Sequence, residues 1–408
     1  MNKEISLKNL LVSIIKSIDI YNFLLKDHHR RTAIIAYLLG NAYGLEKSKL
    51  DDLVLAASLH DIGALHVTER DKLIEIDIDN PSPHEIHGEL MLKPFKPFEK
   101  IGKIIRHHHI CFQDIENGTY SMDEIPIECF FLHLADRIDV LMLKNEGSLS
   151  MREAVIKNIN QRFGTVFAPF LKEVFESISE AEDFWFNINV VSFHDLLFMA
   201  IDNEYYNMNN NDIENLAIVF ARIVDYKSQW TMSHSYSVSK LATRISQLMG
   251  LTPDEQFEVK IAGYLHDIGK IAIATELLDK NEPLTNDELG NIRSHVMYTS
   301  LILSPIKELE NIIRLAANHH EKRDKSGYPL RLSAENFTVQ MDILEFADIF
   351  SALSENRPYR NSMHNGNIKA TLAEYIPNRL SKDVYNVIIE NFDELINLLE
   401  ESKQEAIQ

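Results

Sequence analysis

The chain has 408 residues, 45% of them apolar and 25% charged, with a net charge of −20 and two cysteines. That length exceeds one ordinary core and implies two or three domains. A balance this acidic argues against a binder of long nucleic acid, which needs a basic stripe, but leaves open a small anionic substrate held through divalent cations.

Few glycines and prolines (14 and 12) alongside long helical periodicity favour an all-α protein. Met1 to Lys16 mixes lysines and Glu4 with apolar residues and offers no small-residue cleavage site, so it reads as the first turns of a helix. No apolar run approaches the roughly 18 residues of a membrane span. Cys111 and Cys129 form neither a disulfide framework nor a CxxC pair; a thiolate metal site is disfavoured and a cytoplasmic setting is expected. Met151 to Ser179 reads as one helix, with Ala154, Val155, Phe163, Val166, Phe170, Leu171 and Phe175 on its apolar positions. Phe184-Trp185-Phe186 reads as a packing knot. Asn203 to Asn211, with five asparagines, is the expected interdomain loop, and Asp212 the expected N-cap of a helix running towards Lys227. From Ser381 onward, Val384, Val387, Ile388, Phe392, Leu395, Leu398 and Leu399 suit an amphipathic closing helix.

One stretch organises the rest: Tyr264-Leu265-His266-Asp267-Ile268-Gly269-Lys270. An apolar run leading into a carboxylate needs a compensating cation. Alone, the pair reads as a core histidine bonded to an aspartate; its company says otherwise. His234 lies upstream, and His295, His319-His320 and Asp348 lie downstream. The same order occurs earlier as His28, His60-Asp61, His84, His108-His109 and Asp136. His28 to His60 and His234 to His266 are both 32 residues apart; His84 to His108 and His295 to His319 are both 24. The last intervals agree to within one residue, 27 and 28, and only the loop after the His-Asp pair differs by more, 23 against 28. This is an internal duplication.

Imidazole and carboxylate donors suit Fe, Mn, Zn or Ni. Each set is too large for one tetrahedral ion and fits two ions sharing a bridging carboxylate, which can activate water for in-line phosphoryl displacement. Adjacent helical residues point about 100° apart, so His266 and Asp267, or His319 and His320, can reach neighbouring ions.

The order H…HD…H…HH…D resembles the HD phosphohydrolase superfamily. The second copy resembles its HD-GYP branch, bacterial phosphodiesterases of cyclic dinucleotides, through His266-Asp267-Ile268-Gly269-Lys270, through His319 to Pro329, and through Arg357-Pro358-Tyr359-Arg360. The specific match covers roughly residues 215–380, and the wider HD pattern about residues 20–140. The resemblance implies an all-α fold of two tandem HD-type helical domains joined by a helical linker: a divergent N-terminal HD domain (1–145), a linker region (146–211) and a catalytic domain (212–408). It implies metal ligands at His234, His266, Asp267, His295, His319, His320 and Asp348, with Asp267 bridging two divalent ions per site, Fe or Mn ahead of Mg, Zn or Ni. Lys270 would meet a substrate phosphate or the leaving oxygen, or else be a surface lysine. Asp324, Gly327, Tyr328 and Pro329 would lie beside the dinucleotide; Gly-Tyr-Pro alone could be an ordinary turn. Arg357 and Arg360 would bind phosphate or pair with Glu355.

The chain departs from that pattern at Arg323-Asp324-Lys325, where the family has Trp-Asp-Gly, and at Trp230, where some members place a glutamate for a third metal. The N-terminal copy keeps His28, His60, Asp61, His84, His108, His109 and Asp136 as a candidate second metal site, with His29, His87 and His107 as alternates. It has Ala64 in place of Lys270, Ile110 in place of Glu321 and no Gly-Tyr-Pro. A role in sensing, packing or dimerisation is expected of it.

The leading expectation is a metal-dependent phosphodiesterase converting cyclic di-GMP or 3′,3′-cyclic GMP-AMP to the linear dinucleotide. A non-hydrolysing nucleotide-binding scaffold is the alternative from another class, and a mononucleotide phosphohydrolase is disfavoured by Gly-Tyr-Pro. Homodimerisation or a signalling partner stays open.

Overall fold

The computed structural model describes residues 3–21, 27–64, 83–144, 149–201, 205–225, 227, 233–355, 363, 365–374 and 381–407. The architecture is all-α apart from one antiparallel ladder, β1 (Lys3–Ser6) against β2 (Tyr205–Met208). Among the described residues no helix is long and apolar enough to cross a membrane. The chain divides into two compact units, Asn22–Glu204 and Met1–Tyr21 with Tyr205–Gln408.

Helix α1 (Leu7–Tyr21) follows β1 and belongs to the second of these units. The N-terminal unit begins with α2 (His28–Tyr43) and α3 (Lys47–Leu59), then α4 (Pro83–Leu92), α5 (Glu99–Arg106), α6 (Phe112–Glu116) and α7 (Ile127–Lys144). α2 packs on α3 and α7, burying Ala33, Ile34, Ile35, Ala36 and Leu39. Then come α8 (Leu149–Asn160), α9 (Lys172–Ser179), α10 (Glu182–Val190) and α11 (Phe193–Ala200). The single helix expected over 151–179 is therefore two. Gly164, at φ +88°, turns the chain back so that its N–H meets the Phe167 carbonyl at 2.8 Å. Helical spacing persists across the break because Phe163, Phe167 and Phe175 gather in one ring cluster, centroids 5.9 and 6.1 Å apart. Phe184 and Trp185 are buried as a packing pair, while Phe186 is exposed.

The C-terminal unit carries α12 (Asn210–Asp225), α13 (His234–Leu248) and α14 (Pro253–Leu265), followed by a 3₁₀ segment, Ile268–Ala272. Next come α15 (Thr275–Leu278), α16 (Asn286–Arg293), α17 (His295–Leu303), α18 (Glu310–Ala317) and α19 (Val339–Ser354). It closes with α20 (Asn365–Glu374), α21 (Lys382–Glu390) and α22 (Phe392–Ile407). α13 is central, against α14, α19 and α22. The start of α14 is sharply specified, because Thr252 and Glu255 form a reciprocal capping box around Pro253. The closing segment is two helices separated at Asn391, with Val384, Ile388, Phe392, Leu395 and Leu399 buried.

Four N-terminal and linker expectations change. Residues 3–6 are a strand, and α1 starts only at Leu7. The asparagine-rich stretch contributes β2, with Asn207 opposite Glu4. The N-cap of α12 is Asn209, whose Oδ1 accepts from Asn211 and Asp212 at 2.8 and 3.2 Å, while Asp212 answers from within the first turn. Residues 1–21 thus group with residues 205–408, not with the 1–145 segment. The β1–β2 ladder ties them there, as do buried Leu10, Leu11, Ile14 and Ile15 and a bond from Ser13 Oγ to the Ile302 carbonyl. α1 lies against both the 3₁₀ segment and α17.

Candidate metal centre

Five pieces of the C-terminal unit converge on one carboxylate. His234 opens α13, His266-Asp267 follow α14, His295 opens α17, His319-His320 follow α18, and Asp348 sits within α19. Asp267 is 2% exposed. Its Oδ2 lies 3.2 Å from His266 Nε2, 3.7 Å from His234 Nε2 and 2.5 Å from Lys270 Nζ. Its Oδ1 faces the other way, 3.6 Å from His295 Nε2 and 3.9 Å from His319 Nε2. Asp348 spans the same gap, with Oδ1 3.1 Å from His234 Nε2 and Oδ2 3.9 Å from His320 Nδ1. Two donor groups result, His234 with His266 and Asp348, and His295 with His319 and His320, each with ligand atoms within 4.8 Å of one another.

Backbone geometry sets the imidazoles. His266, His295 and His319 each donate Nδ1–H to the carbonyl three residues back, at 2.8, 2.6 and 2.7 Å, which leaves every Nε2 lone pair aimed at the centre. Burial pulls His295 down to about 4 and His319 well below the ordinary range, so both are neutral at pH 7. Burial works against ionising Asp267, but His266, Lys270 and His295 outweigh it and hold the carboxyl well below the usual range. His266 Nε2 and Asp267 Oδ1 are buried without a hydrogen-bond partner. Such atoms are costly unless something else satisfies them. Neutral imidazoles, ionised carboxylates and unsatisfied acceptors around one bridging-type aspartate fit two divalent cations.

His234 is held from behind. Its Nδ1 lies 3.2 Å from Glu355 Oε2, and Ser351 Oγ donates to Glu355 Oε1 at 2.6 Å. Gly269 fixes the 3₁₀ segment against α17: a Cβ there would overlap the His295 carbonyl oxygen, and Gly269 N–H donates to Thr299 Oγ1 at 3.0 Å. Tyr328 lies over His320, centroids 4.9 Å apart, with the Arg293 guanidinium 5.3 Å from the Tyr328 ring centroid. The Tyr328–Pro329 peptide is cis. Gly327 is demanded by close approach, because a Cβ would lie 2.5 Å from the His320 carbonyl oxygen. The following strand of loop is gathered by buried Glu321, whose oxygens accept from the N–H groups of Leu330, Arg331 (3.0 Å) and Leu332 (2.8 Å).

Asp324 is exposed and holds its own turn through Ser326 N–H at 2.9 Å. Arg323, which stands where tryptophan was expected, pairs with Asp342 and lies over Phe337, so its charge is neutralised locally. Arg357, Arg360 and Trp230 lie outside the described residues. Sequence reasoning missed Lys227, Arg293 and Asp225, and gave no role to Glu321 or to Glu355 as a partner of His234. Asp225 closes α12, with Oδ1 buried and without a hydrogen-bond partner. Burial pushes its carboxyl up, and nearby Asp267 and Glu355 add to this against His234 and Lys270.

The N-terminal copy assembles the same way. Asp61 Oδ2 lies 3.3 Å from His60 Nε2 and 3.6 Å from His28 Nε2, and Asp61 Oδ1 lies 3.6 Å from His84 Nε2 and 4.0 Å from His108 Nε2. Asp136 Oδ1 is 3.4 Å from His28 Nε2, and His109 Nδ1 is 3.9 Å from Asp136 Oδ2. Asp139, one turn beyond Asp136, takes the Glu355 role by meeting His28 Nδ1 at 2.7 Å. Three features are its own. His29 joins His60 and Asp61. The Arg137 guanidinium donates to Asp136 Oδ2 at 2.9 and 2.6 Å. His107 turns towards the Tyr120 ring, 5.7 Å away; His87 is half-buried.

The HD domain family matches the chain twice, over residues 218–378 and residues 25–141. The 3'3'-cGAMP-specific phosphodiesterase 1 of Vibrio cholerae is 25% identical over 97% of this chain and 94% of its own length. The cyclic di-GMP phosphodiesterase of Thermotoga maritima is 36% identical over 34% of this chain and 38% of its own. A crystal structure of a cyclic GMP-AMP-specific phosphodiesterase of V. cholerae, V-cGAP3, superposes with a TM-score of 0.62 at 21% identity, covering 96% of this chain and 98% of that one, which establishes the shared fold. The chain belongs to the HD-domain family, with two HD domains in tandem, and is homologous to cyclic-dinucleotide phosphodiesterases of the HD-GYP type.

Proposed function

We propose that the C-terminal unit is a metal-dependent phosphodiesterase that hydrolyses a cyclic dinucleotide to its linear form. The observation that carries this is Asp267, whose two oxygens face two separate histidine groups while Lys270 Nζ sits 2.5 Å from Oδ2. His234, His266, Asp267 and Asp348 would hold one divalent ion, and Asp267, His295, His319 and His320 the other. Bound there, the ions supply Lewis-acid activation of water and neutralise phosphate charge.

The chain's own groups do the rest. Lys270, half-buried and already beside Asp267, places an ammonium where a phosphate oxygen or the departing ribose oxygen needs one. Tyr328 and Arg293 form a wall next to His320 on which a base or phosphate can rest. Gly327, Pro329 and Asp324 shape that wall's loop; Arg357 and Arg360 add phosphate contacts in this reading. The near full-length similarity to a 3'3'-cGAMP-specific enzyme supports 3′,3′-cyclic GMP-AMP as the first substrate to test, with cyclic di-GMP beside it. Fe or Mn is the preferred loading. The N-terminal unit would hold metal at His28, His60, Asp61, His84, His108, His109 and Asp136 without hydrolysing, because Ala64 and Ile110 replace the lysine and the loop-gathering glutamate. The domain boundaries that accompany this reading are 22–204 for that unit and 205–408 with 1–21 for the catalytic one.

Turnover of both cyclic dinucleotides by Mn- or Fe-loaded protein, beside D267A and D61A, tests the reading. Linear product lost with D267A alone supports it. Loss with D61A instead would move catalysis to the N-terminal unit, and no product from metal-replete protein would favour a non-hydrolysing scaffold.

A further inference from the structure

Lys227 is a buried cation of the C-terminal unit. It lies two residues past α12, 4% exposed. Its Nζ donates to the backbone carbonyls of Ile271 (2.6 Å), Ile273 and, more distantly, Lys270 (3.4 Å). The Ile271 and Ile273 carbonyls lie at the C-terminal end of the 3₁₀ segment Ile268–Ala272, where helical carbonyls run out of intrahelical donors, while the Lys270 carbonyl also accepts from Ile273 N–H at 3.1 Å. An ammonium suits that end by charge as well as by donor count. Burial pulls the Lys227 ammonium down to about 7, with Glu276 and Asp279 resisting. A lysine is thus kept under unfavourable solvation to tie down five residues of backbone.

That backbone carries Lys270. The opposite side of the same segment is already fixed, through Gly269 and Thr299, to α17. The N-terminal copy provides the internal comparison. Ala64 stands in place of Lys270 there, while Tyr21, seven residues before the first histidine, closes α1 in the other unit. The N-terminal histidines and aspartates nevertheless come together around Asp61 at similar distances. A His-Asp cluster thus assembles around Asp61 without a lysine at the position of Lys270.

We infer that Lys227 is a positioning residue for Lys270: by holding the carbonyls of Lys270, Ile271 and Ile273 it fixes the 3₁₀ segment so that the Lys270 ammonium lies on Asp267. The activity arm of its test rests on the phosphodiesterase reading; a labelling arm does not. In the full chain, K227Q and K227M are compared with K270M and with the K227M/K270M double variant, for kcat, KM, bound metal and the rate at which an amine-reactive reagent modifies Lys270.

K227M is expected to lower kcat by about a hundredfold, as misplacement of a reacting group by an ångström can do, with KM and metal content near the parent's. Added to K270M, it should cost nothing further. Modification of Lys270 should quicken severalfold in K227Q, because a loosened segment releases its side chain from Asp267. Equal multiplicative losses in both backgrounds, metal lost together with activity, or unchanged Lys270 labelling in K227Q would each overturn the inference. If the parent hydrolyses no cyclic dinucleotide, the phosphodiesterase reading fails, and Lys270 labelling in the K227Q protein still decides this one.

Discussion

The loop that carries Tyr328 is most directly tested at Glu321. Its carboxylate is fully buried and accepts three backbone N–H groups, from Leu330, Arg331 and Leu332. Hydrogen bonds to a charged group contribute about 1.5–3 kcal/mol each, and a buried donor left without an acceptor costs about 1–3 kcal/mol. In E321Q one oxygen can still serve Leu330 and Arg331, whereas the new amide NH₂ meets the Leu332 N–H donor to donor. The combined loss is about 3 kcal/mol, which for a unit of this size lowers Tm by about 6–12 °C. Differential scanning calorimetry of the full chain measures it. The transition of the C-terminal unit should move while that of the N-terminal unit stays, and E321A should move it further. A shift below about 1 °C, well under the cost of one lost bond, would refute the assignment of Glu321 as the group that gathers the loop.

Three residues behind and around the clusters, and removal of the metal, give further tests. E355Q weakens the carboxylate behind His234 and should lower metal affinity of the C-terminal unit by about 10–100-fold, with D139N doing the same behind His28. Metal titration of each variant reads this directly, and unchanged affinity would remove both residues from the metal argument. Chelation should lower the Tm of both units, and saturating metal at about a hundred times Kd should restore about 2.7 kcal/mol per site. An unchanged Tm on stripping would mean that the buried donors need no cation. I14A removes a fully buried side chain of α1 and should cost about 2–5 kcal/mol, felt by the C-terminal unit and by exchange protection at residues 268–272. Loss confined to the N-terminal unit's transition would place α1 elsewhere.

The clustering of the His and Asp residues was legible because their spacing survives as geometry. The histidines and the central aspartate of each set lie at or beside helix ends, and equal intervals such as 32 and 32 accompany similar clusters. What escaped was whatever works through the backbone or across long separations. Lys227 bonds carbonyls, which have no residue identity to read. Glu355 reaches His234 from 121 residues away, although Asp139 performs the same task one turn nearer to its aspartate. β1 is four residues long and pairs with a strand near residue 206, too short for its alternation to register against the helix that follows. Gly164 broke the expected 151–179 helix at a point where phenylalanine spacing continued to look helical, because those rings share one cluster.

The duplication itself makes a stringent test, because it predicts the same failure twice. A Cβ on Gly269 would overlap the His295 carbonyl oxygen and lie 2.5 Å from Thr299 N; a Cβ on Gly63 would overlap the His84 carbonyl oxygen and lie 2.5 Å from Gly88 N. Backbone cannot yield as a side-chain tip can, so G269A and G63A must each push the third histidine's helix off the segment following its His-Asp pair. Overpacking of this kind costs about 1–3 kcal/mol or more. Controls exist within the same units. Gly290 faces open space in α16, and Gly102 has its nearest outside atom, Glu89 Cγ, at an ordinary 3.5 Å in α5. G290A and G102A should raise stability by up to about 1 kcal/mol, the usual helix preference of alanine over glycine. Each clashing variant should lower the Tm of its own unit and release metal from its own cluster, since His295 and His84 ride on the displaced helices. If G269A keeps the Tm of G290A and a full complement of metal, the close approach of the His-Asp segment to α17 is not what sets His295 in place, and the parallel drawn between the two copies fails with it.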